Sequence, residues 1–201
     1  MTNRAHNNID ILERMAKAVE KVRERLLRAA GALEKEGLDY AVIGGNAVAA
    51  WVSTVDESAV RNTRDVDLLI NRKDFEKIKE VLEKEGFIYK HITGVDLFLE
   101  EKGSKARDSI HLVYAGEKVM PEYIAPAPDV SESEYLSPLM RVISLEALVR
   151  MKLTSFRLQD QVHLMDLNDA GLINANLVSN LPPPFAKKLK ALIAGGGQST
   201  S

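Results

Sequence analysis

The chain has 201 residues, 45% of them apolar and 28% charged, with 27 Lys and Arg against 29 Asp and Glu for a net charge of −2. That balance suits one globular domain, with a helical appendage at most, and it excludes a strongly basic nucleic-acid platform. Cysteine is absent, which removes disulfides and thiolate metal sites; no apolar run reaches membrane-spanning length and Met1–His6 lacks a secretory apolar region, so a cytoplasmic location and no membrane partner are expected.

From about Ile9 to Glu36, Leu12, Met15, Val19, Val22, Leu26, Ala29 and Leu33 recur three and four apart. This predicts an amphipathic helix that packs on a sheet or serves self-association, with Gly37 as its stop. Leu38–Ile43 reads as a short apolar strand. It runs into Gly44-Gly45-Asn46 and a small-residue helix, Ala47–Trp51. A glycine pair at such a junction lets backbone approach a ligand and aims free N–H groups at an anion.

Ser53–Asn62 is polar and predicts a loop. The next strand ends in Val66-Asp67-Leu68-Leu69-Ile70 and carries Asp65-x-Asp67. Residues i and i+2 of a strand share a face, so the two carboxylates stand side by side. Like charges that close repel unless a cation lies between them, and Mg²⁺ prefers carboxylate oxygen. The plainer reading is an edge strand with two solvated aspartates.

Asn71–Asp74 predicts a turn. Phe75, Ile78, Val81 and Leu82 give the following helix its buried face, and Gly86 ends it. Three β-like runs follow, Phe87–His91, Val95–Leu99 and Ser109–Tyr114, with Glu100–Lys105 as a hairpin connection. Pro121, Pro126, Pro128 and Pro138, interleaved with acidic residues, predict an extended connection, either a passive linker or a lid. Ser144 is an N-cap for a long helix reaching about Leu167. Ala170–Ile173 turns, Leu181-Pro182-Pro183-Pro184 leads to a last helix over Phe185–Ile193, and Gly195–Ser201 is flexible by composition. On the long helix, Lys152, Gln159, His163 and Asp166 fall on nearly one line. Lys152 there either packs its stem and reaches water or meets an anionic ligand.

Strand, Gly-Gly, helix and then a strand with Asp-x-Asp resembles the DNA polymerase-β-like nucleotidyltransferase superfamily; the matching positions are Gly44, Gly45, Asp65 and Asp67. The wording Thr63-Arg64-Asp65-Val66-Asp67-Leu68 looks most like the AbiEii/AbiGii toxin-type branch, as do Lys152-Leu153, Arg157 and Asp160. The resemblance covers roughly Leu38 to Leu167. It implies an α/β (α+β) fold, a small mixed sheet flanked by helices with a C-terminal helical part. The expected division is a core over 1–120, a Pro-rich connection over 121–138, C-terminal helices over 139–194 and a tail over 195–201.

The implied activity is transfer of a nucleoside monophosphate from a nucleoside triphosphate to an RNA or protein hydroxyl, with Mg²⁺ on Asp65 and Asp67. Gly44, Gly45, Asn46, Arg64, Lys152 and Asp160 are implied to bind the nucleotide, and an antitoxin is the implied protein partner. The family pattern normally adds a third carboxylate from a later strand. Context aligns that position with His111; Asp96 comes one strand early and Asp108 precedes the strand. His111 therefore joins Asp65 and Asp67 as an expected catalytic residue, as a metal ligand or a general base, the plainer reading being a structural histidine. The rival expectation is a degenerate nucleotidyltransferase-fold protein that only binds nucleotide or a partner.

Overall fold

An unbroken apolar run can satisfy its backbone and hide its side chains only inside a sheet covered on both faces. The strand at Tyr40–Ile43 (β1) does this, with all four residues buried. The computed structural model describes residues 2–100, 108–138 and 140–196. Within them, β1 is joined by β2 (Val66–Ile70), β3 (Ile88–Ile92), β4 (Val95–Leu99), β5 (Ser109–Tyr114), β6 (Ser133–Ser137) and β7 (Met140–Ile143) in a seven-stranded sheet of order β3-β4-β5-β2-β1-β7-β6. The pairs β2–β5 and β1–β7 are parallel and the others antiparallel.

Register sorts the side chains by face. Val66, Leu68 and Ile70 lie opposite Ile110, Leu112 and Tyr114, all six buried. Asp67 lies opposite His111 and, on its other side, Ile43. One face of the central strands is thus core, and the other carries the polar pair.

The first helix, α1 (Thr2–Lys35), is 34 residues long, about 50 Å at 1.5 Å per residue. Its apolar stripe divides. Leu26, Ala29, Ala30 and Leu33 are buried, whereas Ile11, Leu12, Met15 and Val19 are exposed. Only the C-terminal half packs on the sheet, so the expectation that the whole stripe does so is corrected. α1 packs against α3 (Phe75–Lys84) and along β2 and β7, while α2 (Gly44–Ser53) covers β1 and β2. The second helix begins at Gly44 itself, three residues before the expected start.

Two other expectations change. The segment 121–138 was expected to be an extended connection, yet it contributes β6, which turns back through β7 onto β1. The long C-terminal helix is two helices, α4 (Leu145–Ser155) and α5 (Leu158–Asp169). Between them Phe156 is left-handed, at φ +48°, and Arg157 is extended. Ser144 does cap α4, accepting the Ala147 N–H at 3.4 Å. A short helix α6 (Ala175–Asn180) precedes α7 (Pro183–Gly196). Residues 101–105 of the expected hairpin connection and 197–201 of the tail lie outside the described residues. Among the described residues no helix is long and apolar enough to cross a membrane.

Candidate active site

The site is built where β1 ends and α2 begins. Gly44 has φ +68°, and a Cβ there would lie 1.9 Å from Asp67 Oδ2. Only glycine gives both the left-handed turn and the room for that carboxylate. A Cβ on Gly45 would be 3.0 Å from Thr63. Asn46 then ties the turn to the next strand, its Nδ2 donating to the Asp65 carbonyl at 2.6 Å. The Thr63 hydroxyl donates to Asp65 Oδ1 at 2.7 Å, and Arg25, reaching across from α1, donates to the Arg64 carbonyl at 2.9 Å. Asp65 precedes β2, Asp67 lies on it, and both are half-buried.

His111 completes the cluster. One ligand atom each from Asp65, Asp67 and His111 lie within 4.8 Å of one another. His111 Nδ1 is 3.4 Å from Asp67 Oδ1, and its Nε2 is 3.0 Å from Ser109 Oγ. In the tautomer that donates Nε2–H to the serine, the Nδ1 lone pair faces the carboxylates, an arrangement that calls for a cation or a proton between them. Two carboxylates with a neutral imidazole are a donor set that fits a divalent metal. Asp96 and Asp108 are not in the cluster. Asp96 is one residue out of phase with His111, whose partner on β4 is Leu97.

A cleft of about 570 Å³ opens over the cluster, lined by Gly44, Asp67 and His111, by Leu148, Met151, Lys152 and Asp160, and by Tyr123 and Arg157. Lys152 and Asp160, both expected to bind nucleotide, form an ion pair with each other at the cleft wall. Their distance is 3.0 Å, with side chains 7% and 1% exposed. Asp160 also accepts from Ser155 Oγ at 2.7 Å and from the Arg157 N–H and Nε at 3.1 and 2.9 Å. Burial raises the Asp160 carboxyl pKa, but Arg157, Lys152 and Ser155 outweigh it and hold the group at about 2. The carboxylate fastens the break between α4 and α5 from inside.

Arg157 was not singled out as a binding residue. Its side chain is 70% exposed, it lines the cleft, and it feels the charge of Asp67. The signal was its place three residues before Asp160. Arg64 is exposed and does not line the cleft.

Lys152 is also separated from the residues expected on its line. Gln159, His163 and Asp166 belong to α5 and line a small void behind Gly45 and Thr63. There Arg61 Nε pairs with Asp166 Oδ1 at 2.9 Å. Burial, with Lys152 nearby, pushes the His163 pKa down to about 4.

Toward the sheet edge a second acid is fully engaged. Asp96 accepts from Tyr89 and Tyr114 at 2.7 and 2.5 Å, and His91 Nδ1 lies 2.7 Å from it. Burial opposes its ionisation, but Tyr114, His91 and Tyr89 together hold it below the usual carboxylate range.

Comparison with known proteins bears on the fold and the family. The chain covers 91% of its length against 90% of an antigenic nucleotidyltransferase-like protein from Paracoccidioides brasiliensis, at 17% identity and a TM-score of 0.52. The antibiotic-resistance factor ANT(2'')-Ia, known from a solution structure, gives 14% identity, 91% and 92% coverage and a TM-score of 0.47. A comparison with functionally curated proteins returned no match. The profile of the family described as "Uncharacterised nucleotidyltransferase" matches residues 9–123, which hold the glycine turn, both aspartates and His111. The chain belongs to that nucleotidyltransferase family, on an α/β fold with a seven-stranded mixed sheet.

Proposed function

We propose that this protein transfers a nucleoside monophosphate from a nucleoside triphosphate to a hydroxyl acceptor, with Asp65 and Asp67 holding divalent metal. One observation carries the reading: two carboxylates and an imidazole converge beside the first turn of α2, at a cleft that Asp67 and His111 line, in a chain of a nucleotidyltransferase family. Mg²⁺, when bound, supplies positive charge against the triphosphate.

The chain's own groups do the rest. The first N–H groups of α2, at Gly45 and Asn46, have no intrahelical partners and donate to phosphate oxygens. Arg157 adds a cation to the same cleft, and Lys152 supports it indirectly by balancing Asp160. Thr63 and Asn46 fix Asp65. The acceptor oxygen bonds to the α-phosphorus and the bond to the bridging oxygen breaks. Pyrophosphate leaves with the electron pair, and the hydroxyl proton passes to His111 Nδ1. Transfer of label from α-labelled triphosphates tests the reading. Asp65→Asn and Asp67→Asn should each abolish it, and undiminished labelling in either variant would refute that aspartate's part in holding the metal.

His111 in place of a third acid favours a second reading, a nucleotide-binding module without transfer. Calorimetry with ATP, CTP, GTP and UTP, with and without Mg²⁺, separates the two. Metal-dependent triphosphate binding supports the enzyme, and metal-independent binding supports the module. The toxin-type branch carries its own test: growth arrest on expression, lost in Asp65→Asn. Arrest that persists in that variant, or none at all, removes the toxin role and with it the antitoxin.

A further inference from the structure

The cleft continues beyond the acid pair. Across β2, β5 and β4, Asp67, His111 and Leu97 stand in register, so their side chains share one face. Val113, two residues after His111, continues that face. Leu97 is buried and Val113 half-buried, and both line the cleft. Ala125 of the loop after β5 and Met151 of α4 line it too. At the end stands the β3–β4 hairpin, its Ile92 and Val95 exposed at 43% and 41%. An acceptor that approaches the acid pair from this side passes over His111 and lies on Leu97 and Val113.

The polar groups at this end are already paired. Asp96 is held by Tyr89, His91 and Tyr114. Arg72 lies 3.6 Å over the Tyr114 ring and makes a two-pronged pair with Glu117. Lys118 adds one charge at the rim. A polynucleotide acceptor is gripped by a track of several cations that neutralise its phosphates. A polycation needs carboxylates to spare. Among the described residues this wall offers neither, but it does offer apolar side chains in a volume of the size that small ligands use.

We propose that the acceptor is a small uncharged molecule whose hydroxyl is carried on an apolar or aromatic body. The body rests on Leu97 and Val113 beneath Ala125, and the hydroxyl lies over His111. The proposal rests on the nucleotidyl-transfer reading above and leaves its bond changes as they are. It replaces the RNA or protein hydroxyl that the sequence resemblance implies.

The test presents the full chain with Mg²⁺, α-labelled triphosphates and four acceptor probes. These are a neutral set (4-nitrophenyl β-glucoside, 2-phenylethanol and cyclohexane-1,2-diol), bulk tRNA, casein and the polycation kanamycin. The neutral set should take at least ten times the label of the others. Ala125→Asp, on a half-buried loop position, should cut that labelling at least tenfold through KM, with triphosphate binding by calorimetry within twofold. Best labelling of tRNA, casein or kanamycin would overturn the proposal, and so would an Ala125→Asp variant with unchanged KM. Triphosphate consumed without label on any neutral probe sinks the acceptor claim alone. Absence of triphosphate binding sinks the transfer reading on which it stands.

Discussion

The Lys152 ammonium is bound to the Asp160 carboxylate at 3.0 Å, with both side chains almost wholly out of water. A buried pair of this kind contributes little against an apolar replacement of equal shape, but removing one partner strands the other. Asp160→Ala should therefore cost about 3–5 kcal/mol, read as a lower urea midpoint. It should also loosen Arg157, whose Nε and N–H both reach Asp160. The double variant Lys152→Met/Asp160→Leu should recover most of the midpoint without restoring triphosphate affinity. Equal losses in single and double variants would argue against the stranded charge.

Acid should weaken the fold in two windows. His163 is held neutral, its pKa near 4 against an ordinary 6.5. A depressed folded pKa contributes stability that is present above the unfolded value, so this part is lost as pH falls from about 6.5 to 4. Asp160, at about 2 against 3.8, adds on the order of 2 kcal/mol that is lost below about pH 4. His163→Phe should flatten the upper window in a series of urea melts from pH 7 to 3 and leave the lower one. A slope above pH 4 that survives in His163→Phe belongs to another group.

Gly44 and Gly37 make a matched pair. Both have left-handed φ, at +68° and +64°, but nothing lies within 4 Å of a Cβ on Gly37, whereas Asp67 fills that space at Gly44. Gly37→Ala should cost about 1–2 kcal/mol from backbone strain alone and leave transfer within twofold. Gly44→Ala should lose transfer by at least a hundredfold, because Asp67 must turn away. Thermal melts and labelled-triphosphate assays on the two variants decide it, and equal activities would mean Asp67 is not needed where it stands.

His111 Nδ1 can take the acceptor's proton only when it is not metal-bound; in the unliganded chain it can face a metal, and there it offers nitrogen where a carboxylate would suit Mg²⁺ better. Calorimetry on the unliganded chain should find Mn²⁺ bound more tightly than Mg²⁺. His111→Asp should narrow that gap at least threefold, and Asp65→Asn should weaken both ions. A preference that is unmoved by His111→Asp would place the imidazole outside the metal's reach.

The central strands and the glycine turn were legible because their chemistry is local. Alternation put Asp65 and Asp67 on one side, and a strand running into two glycines has few other uses. What escaped depended on distant partners. The pair β6–β7 hides among prolines and acidic residues, and it is strand only because β1 supplies an edge. The break at Phe156 has no Gly or Pro to announce it. It is held by Asp160 within the same segment and by Lys188, whose ammonium sits 4.0 Å over the Phe156 ring. With no local sign of the break, spacing sets Lys152 in line with His163, and the ion pair with Asp160 cannot be read from the sequence.

The β6–β7 hairpin decides where the last third of the chain goes. By returning to β1, it delivers α4 and α5 to the strand whose end carries the glycine turn, more than a hundred residues earlier. The two acids are thus synthesised long before the wall that faces them. A ribosome-bound chain stalled ahead of Ser144 would carry Asp67 but none of Lys152, Arg157 and Asp160, which line the cleft with it.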